Sequence, residues 1–303
     1  MTTTGFIENP QKKLWLAAVK PPMYSVAIIP IWVGSAVAFS QTKSLHWSIF
    51  LSFLFSAILI IAWLNLSNDV FDSETGIDKN KAHSVVNLTG NKSLVFWISN
   101  ICLGLGVLGI CAIALLQKDW TVLGIVVACC ALGYTYQGPP FRLGYLGLGE
   151  FICFVTFGPM AIAAAYYSQA QSFATPAFAA SILIGISTSI ILFCSHFHQV
   201  EDDLAAGKRS PIVRLGTEKG ARVLAGLTAS LFVLTVLFIL LGYFPIWTLG
   251  IFASLPFAYQ LVRHVGEYHD RPERVSNCKF IAVKLHFWSG LLLGLGFVLP
   301  QFF

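Results

Sequence analysis

The sequence predicts an all-α polytopic membrane protein with nine spans. Three observations carry that prediction. Of 303 residues, 56% are hydrophobic and 11% charged, with a mean hydropathy of +0.74; such a composition suits a chain that faces lipid rather than water. Apolar runs of about 18 residues or more recur, each long enough to cross a bilayer as a helix. The basic residues fall almost entirely between alternate runs.

The runs cover roughly 22–39, 46–66, 94–117, 120–136, 146–167, 175–197, 221–243, 245–262 and 284–302. Backbone groups in lipid must be satisfied within the segment, so these are helices. The ~10-residue alternating segments of a barrel are absent. With the N-terminus cytoplasmic, one side collects 17 of the 19 Lys and Arg, and the other holds Lys43 and Lys118. That asymmetry supports an odd number of spans and this orientation. The net charge of +5 follows from the same bias and does not point to nucleic acid. No obligatory protein partner is implied.

Residues 1–20 lack the apolar core of a cleavable signal. Leu14, Trp15 and Leu16 beside Lys12 and Lys13 predict a short segment lying in the interface. The seven cysteines sit mostly inside apolar runs, with neither metal-ligand spacing nor a disulfide framework. The sequons at Asn87 and Asn91 fall on the predicted cytoplasmic side and are discounted.

Two acidic clusters close the second and sixth runs: Asn65-Leu-Ser-Asn-Asp69-Val-Phe-Asp72 and His198-Gln199-Val-Glu201-Asp202-Asp203. They recur with a period of four spans. This predicts two four-helix halves of like orientation plus a ninth helix, with both clusters on one membrane face. The chain reads as a single membrane-embedded domain, 1–303. Polar cytoplasmic loops at about 73–92 and 204–220 cap that face. The stretch Tyr134 to Glu150 is rich in Gly and Pro and predicts a tight connection.

A carboxylate at a membrane helix end is costly unless it binds something. Asn65, Asp69 and Asp72 stand at i, i+4 and i+7, so on a helix they share a face. An amide oxygen and two carboxylates are hard ligands that suit Mg²⁺, which completes its shell with water and substrate phosphates. Gln199 and Asp203 repeat the i, i+4 spacing, with Glu201 and Asp202 on neighbouring faces. Lys20, Lys79, Lys81, Arg142, Lys208, Arg209 and Arg214 share the side of the acids and include candidates for holding diphosphate oxygens. Asp78 fits a turn cap as well as a site residue. His196 and His198, two apart, point to different faces and read mainly as structural. Glu150 reads as a helix N-terminal acid.

At these residues the chain resembles the UbiA superfamily of intramembrane prenyltransferases. The resemblance rests on Asn65-x3-Asp69-x2-Asp72 followed by Gly76-x-Asp78, on the Gly138-Pro139-Pro140 loop running to Gly149-Glu150, and on Glu201-x-Asp203-x3-Gly207-Lys208. It is most similar to the 1,4-dihydroxy-2-naphthoate branch, and the stretch from His196 to Pro211 to its cyanobacterial and plastid members, which use a C20 phytyl donor to make phylloquinone. The resemblance implies nine helices around a central cavity and Mg²⁺ at Asn65, Asp69, Asp72 and Asp203, with Gln199 and Glu201 as further candidates. It implies diphosphate contacts at Lys20, Lys81, Tyr134, Arg142 and Lys208, a prenyl diphosphate donor, an aromatic acceptor, and loss of the ring carboxylate as CO2. Two positions depart from the pattern. Gln199 stands where most members have Asp, and Lys20-Pro21 where relatives have Arg-Pro. Homogentisate and chlorophyllide are the rival acceptors. A cation-coupled transporter is the reading from another class, although its acids would sit nearer the bilayer midplane.

Overall fold

The computed structural model describes residues 14, 15, 18–75 and 84–302. Among them there is helix and no strand. In chain order the helices are α1 (Pro21–Thr42, opening as a 3-10 turn), α2 (Trp47–Thr75), the short α3 (Val85–Thr89), α4 (Lys92–Gln117), α5 (Thr121–Gln137) and α6 (Gly149–Ala170). There follow α7 (Thr175–Ser195), the short α8 (Val200–Ala205) and α9 (Pro211–Leu215), α10 (Thr217–Leu240), α11 (Leu255–Tyr268) and α12 (Pro272–Gln301).

Among the described residues, seven of these are long and apolar enough to cross a membrane: α1, α2, α4, α6, α7, α10 and α12. Two predicted spans take a different form. The run near 120–136 is the 17-residue apolar helix α5, and the run near 245–262 is broken into a 3-10 segment, Ile246–Ser254, and α11. Several boundaries also move. α2 continues past its apolar run to Thr75, so the first acidic cluster lies within the helix. The last helical segment begins before Lys279 and Lys284, because long cationic side chains extend along a helix end without breaking it. Past α7 the chain makes a turn before α8, so the second cluster is not a continuation of the sixth span.

Burial separates inner from outer helices. In α7, 78% of the apolar window is buried, against 22% in α2, which turns most of its surface outward. The core forms two main clusters. One joins α1, α2, α4, α5 and α6 through Ile31, Phe53, Ile110, Val126 and Ala165. The other joins α1, α6, α7, α10, α11 and α12 through Ile29, Ile184, Leu231, Leu261 and Leu293. α1 and α6 belong to both. Lipid gives no hydrophobic drive for helix association, so close packing must supply it. At the α6–α7 crossing a Cβ on Gly158 would lie 2.6 Å from the Ser181 carbonyl oxygen and 2.8 Å from Gly185 Cα.

α6 carries a π-helical turn at Thr156–Met160 with Pro159 inside it. Such turns mark sites where a helix is reshaped for function. Here Thr156 and Phe157 line both of two neighbouring cavities, of ≈100 and ≈160 Å3, set among α1, α2, α5, α6 and α7.

Candidate active site

The larger cavity reaches Asn65 and Asn68 of the first acidic cluster. Asn65 and Asn68 of α2, Tyr136 of α5, Gly149 of α6, Ser195 at the end of α7 and Lys279 of α12 share its wall. Ile61, Leu64, Ile152, Ile191 and Leu192 make the rest of it apolar. The smaller cavity shares Val26, Ile61, Leu64 and Gly133 with it and continues the apolar lining toward Phe53 and Ile60.

The first cluster is held from three directions. Asp69 is 1% exposed; Lys20 Nζ lies 3.3 Å from its Oδ1, and the Val85 backbone N–H donates to its Oδ2 at 2.9 Å. The buried Gln137, last residue of α5, donates from Nε2 to Asp72 Oδ1 at 2.8 Å. Asn65 lines the cavity, and its buried Nδ2 has no hydrogen-bond partner. A buried carboxylate needs such partners to remain ionised.

In the second cluster the acids divide. Asp203 is fully buried, whereas Glu201 and Asp202 are exposed, so Glu201 is not brought to the partners of Asp203. Gln199 is half-buried at the start of α8, and its backbone oxygen accepts the Asp203 N–H at 2.7 Å. Lys208 Nζ stands 3.3 Å from Asp203 Oδ1. His196 links Asp203 to Glu150: Nδ1 is 3.1 Å from Asp203 Oδ2 and Nε2 is 3.2 Å from Glu150 Oε1. Burial by itself would raise the Asp203 carboxyl, but the His196 hydrogen bond and the Lys208 charge outweigh it and hold it below the usual carboxylate range. For His196 burial pulls downward, while the bonds to Asp203 and Glu150 win and lift the imidazole above its usual value.

Tyr145 ties the clusters together. Its hydroxyl is 2.7 Å from Thr75 Oγ1 at the end of α2, its ring lies 6.0 Å from Lys208 Nζ, and its carbonyl accepts the Arg209 N–H at 2.8 Å. Arg142 reaches Glu74 Oε2 at 3.6 Å, from a backbone with φ of 44°. Lys20 also lies in the left-handed region, at φ 52°. That conformation costs about 1–2 kcal/mol for a residue with a Cβ, and here it precedes α1 and shapes the 138–148 loop.

The structure thus brings Asn65, Asp69, Asp72, Asp203, Lys20, Arg142 and Lys208 to one end of the bundle. Tyr134 sits there too, but its hydroxyl donates to the Pro139 carbonyl at 2.7 Å and its ring packs edge-on against Phe71. Lys81 and Asp78 lie outside the described residues. Gln137, Tyr136, Asn68 and the Glu150–His196 bridge escaped sequence reasoning, because only tertiary proximity marks them.

Does this donor set suit Mg²⁺? Asp203 Oδ1 and both Glu150 oxygens are buried, and beyond the contacts of Lys208 with Asp203 Oδ1 and of His196 with Glu150 Oε1 they have acceptor capacity to spare. Spare carboxylate acceptor capacity is hard oxygen chemistry of the kind this ion takes, and the Asn65 amide lines the neighbouring cavity.

The matching family model spans residues 27–291 and describes the UbiA prenyltransferase family. The chain belongs to the UbiA prenyltransferase family. It is 65% identical over 286 residues to the 2-carboxy-1,4-naphthoquinone phytyltransferase of Synechocystis, covering 94% of this chain and 93% of that one. The chloroplastic phytyltransferase of the same name from Arabidopsis thaliana is 41% identical, covering 97% and 79%. A UbiA homolog from Archaeoglobus fulgidus, solved with GPP and Mg²⁺, shares the fold with a TM-score of 0.62 at 16% identity, covering 92% of this chain and 99% of that one. Family membership and the apolar helices make this UbiA protein an integral membrane prenyltransferase.

Proposed function

We propose that the protein transfers a phytyl group from phytyl diphosphate to 1,4-dihydroxy-2-naphthoate, releasing CO2 and diphosphate, in phylloquinone and menaquinone biosynthesis. The observation that carries it is that the buried acids Asp69, Asp72 and Asp203 and the two lysines paired with them sit beside an apolar cavity that Asn65 lines, in a chain so similar to named phytyltransferases. Relatives named for naphthoquinone or dihydroxynaphthoate acceptors favour this substrate over homogentisate or chlorophyllide. Membership of a prenyltransferase family disfavours the transporter reading.

In this reading Asn65, Asp69, Asp72 and Asp203 hold Mg²⁺, which when bound stabilises the charge of the leaving diphosphate. Lys20, Arg142 and Lys208 bind diphosphate oxygens, with Lys81 completing the set. The apolar cavities take the prenyl chain and keep water from the allylic cation. The carbon–oxygen bond breaks with its electron pair on the diphosphate. A ring π pair forms the new carbon–carbon bond. The bond to the carboxylate then breaks, its pair restoring the aromatic ring as CO2 leaves. Starting from the ionised carboxylate, no proton has to be removed, so no general base is required. The dihydroxy ring is electron-rich and captures a cation, whereas quinone carbonyls withdraw electron density; the reduced acceptor is therefore the reactive one.

α5 and the Ile246–Tyr268 segment complete nine helices in a single domain, with the N-terminus and the site on the cytoplasmic side of a plasma or thylakoid membrane. Membranes containing the protein, given 1,4-dihydroxy-2-naphthoate and phytyl diphosphate with and without Mg²⁺, form the decarboxylated phytyl product only with the metal. Mass spectrometry identifies it. Transfer only to homogentisate or chlorophyllide would move the protein to another branch.

A further inference from the structure

The two cavities adjoin and follow one face of α2 away from the acids. Ile61 and Leu64 of α2, Val26 of α1, Gly133 of α5, and Thr156 and Phe157 of α6 line both. Gly133 leaves room where they meet, since a Cβ on it would lie 3.3 Å from Leu64 Cδ1. Along α2 the wall runs from Asn68 and Asn65 through Leu64 and Ile61 to Ile60, Ala57 and Phe53. These positions recur at helical spacing, so one face of one helix makes the length of the wall. At its far end the smaller cavity meets packed core. Phe53, Ile31, Val126 and Ala164 line it and belong to the same buried cluster as Ile110, Ile113 and Val122. Ile49 and Phe50, from the turn of α2 that precedes Phe53, pack against that cluster too. Phe53 stands twelve residues before Asn65, ~18 Å along the helix at ~1.5 Å per residue. An extended phytyl chain measures about 19 Å, with C–C bonds of ~1.5 Å.

We propose that Phe53 is the floor of the prenyl-chain site and limits the donor to about C20. This deepens the proposed function and rests on its reading of the two cavities as the place of the donor chain.

The charged end of the donor belongs with Lys20 and Lys208, beside Asp69 and Asp203. Its chain then follows the apolar wall of α2 toward Phe53. Each CH2 buried on the way tightens binding by a factor of ~4, and that gain ends where the wall ends. One more isoprene unit adds about 5 Å of chain. Close-packed side chains hold no space for it and yield only at a cost. Phe53 is the largest of the buried residues shared by the cavity and the core cluster. Removing its ring lengthens the site along α2. Adding a ring one turn nearer the acids, at the half-buried Ala57, shortens it.

The test uses the full-length protein in detergent. It is given 1,4-dihydroxy-2-naphthoate with phytyl diphosphate or with all-trans prenyl diphosphates of C10, C15, C20, C25 and C30, and kcat/KM is measured for each donor. Wild type is expected to peak at C20 and to fall ~10-fold or more at C25, the discrimination that pocket size exerts on added carbon. C10 falls at least as far, ~10-fold or more, because it buries less chain. Phe53→Ala moves the peak to C25 while the Michaelis constant for the naphthoate stays within about 2-fold of wild type. Ala57→Phe moves the peak to C15 or below. The wild-type profile needs no variant, so it decides even where Phe53→Ala impairs folding. A wild type that uses C25 and C30 as well as C20 overturns the inference, since the chain then runs out between helices into lipid. A folded Phe53→Ala or Ala57→Phe variant whose peak stays at C20 overturns it too. These outcomes leave the proposed reaction intact. A wild type that makes no prenylated naphthalene but prenylates another acceptor, again with its peak at C20, overturns the proposed acceptor and supports the limit set by Phe53.

Discussion

The imidazole of His196 sits between two carboxylates, 3.1 Å from Asp203 Oδ2 on one side and 3.2 Å from Glu150 Oε1 on the other. The three residues come from the turn after α7, from α8 and from the first turn of α6. Removing the ring leaves two buried acids with no bridge between them. His196→Ala is expected to cost about 3 kcal/mol of stability, as for other broken buried pairs. Adding Glu150→Gln recovers part of that loss, because it removes one of the two charges. Thermal unfolding of wild type, both single variants and the double variant measures the coupling; strict additivity would mean that the two residues act independently.

Asp69 and Asp72 are buried in α2 with their oxygens turned to Lys20, the Val85 amide and Gln137. Asp69→Ala and Asp72→Ala are each expected to lower kcat ~100-fold or more, with circular dichroism still reporting a folded helical protein. Gln137→Leu removes only the amide that orients Asp72 and lowers turnover about 10-fold, the range seen for partners that orient ligands. Turnover near wild type in either Asp variant would reject the acids as the metal site.

Gln199 stands at the start of α8 and contributes its backbone oxygen to Asp203. Asp is favoured at such a position. Gln199→Asp is therefore expected to fold normally and to keep activity within about 3-fold of wild type, with unchanged or tighter Mg²⁺ dependence in a titration of rate against metal. Complete loss of activity would show that the amide performs a task a carboxylate cannot.

The α6–α7 crossing depends on Gly158. A methyl group there meets the Ser181 carbonyl at 2.6 Å, and backbone cannot move aside as a flexible side chain can. Gly158→Ala is expected to destabilise by about 1–3 kcal/mol, read as a lower Tm. Gly124→Ala in α5 is the control: nothing lies within 4 Å of the added carbon, so its Tm stays the same or rises slightly.

Asp119, between α4 and α5, accepts the Thr121 N–H at 2.8 Å and the Tyr167 hydroxyl at 2.7 Å. Chiefly the Thr121 bonds, and then Tyr167, hold its carboxyl below the usual value. A lowered folded value means that the contribution is complete above the ordinary carboxylate value of about 3.9 and is lost as pH falls through the lowered one. Asp119→Asn is expected to flatten the acid side of a Tm-against-pH curve below about pH 4. An acid limb identical to wild type would exclude this residue from it.

Much of the site was legible from spacing alone. Asn65, Asp69 and Asp72 recur at helical intervals, and a helical backbone converts such intervals directly into a shared face. Asp203 and Lys208 stand out in the sequence because charge is rare in this chain. Spacing leaves Glu201, Asp202 and Asp203 alike, since neighbouring acids in a short helix after a turn can be told apart only by which one the fold buries, here Asp203. Tyr134 lies at the same end of the bundle, with its hydroxyl engaged within its own loop.

The sequence by itself determined the helical class, the membrane environment and the helical spacing of the first acidic cluster. Those rest on composition and on periodicity, which are local properties. Tertiary structure alone decided that α7 stops before the second cluster, that Gln137 and the Glu150–His196 pair hold the acids, and that Lys279 reaches the cavity. These are contacts between residues far apart in sequence. They depend on how closely helices approach and on which polar group finds a partner in a buried space, and neither is encoded in the spacing of any one segment.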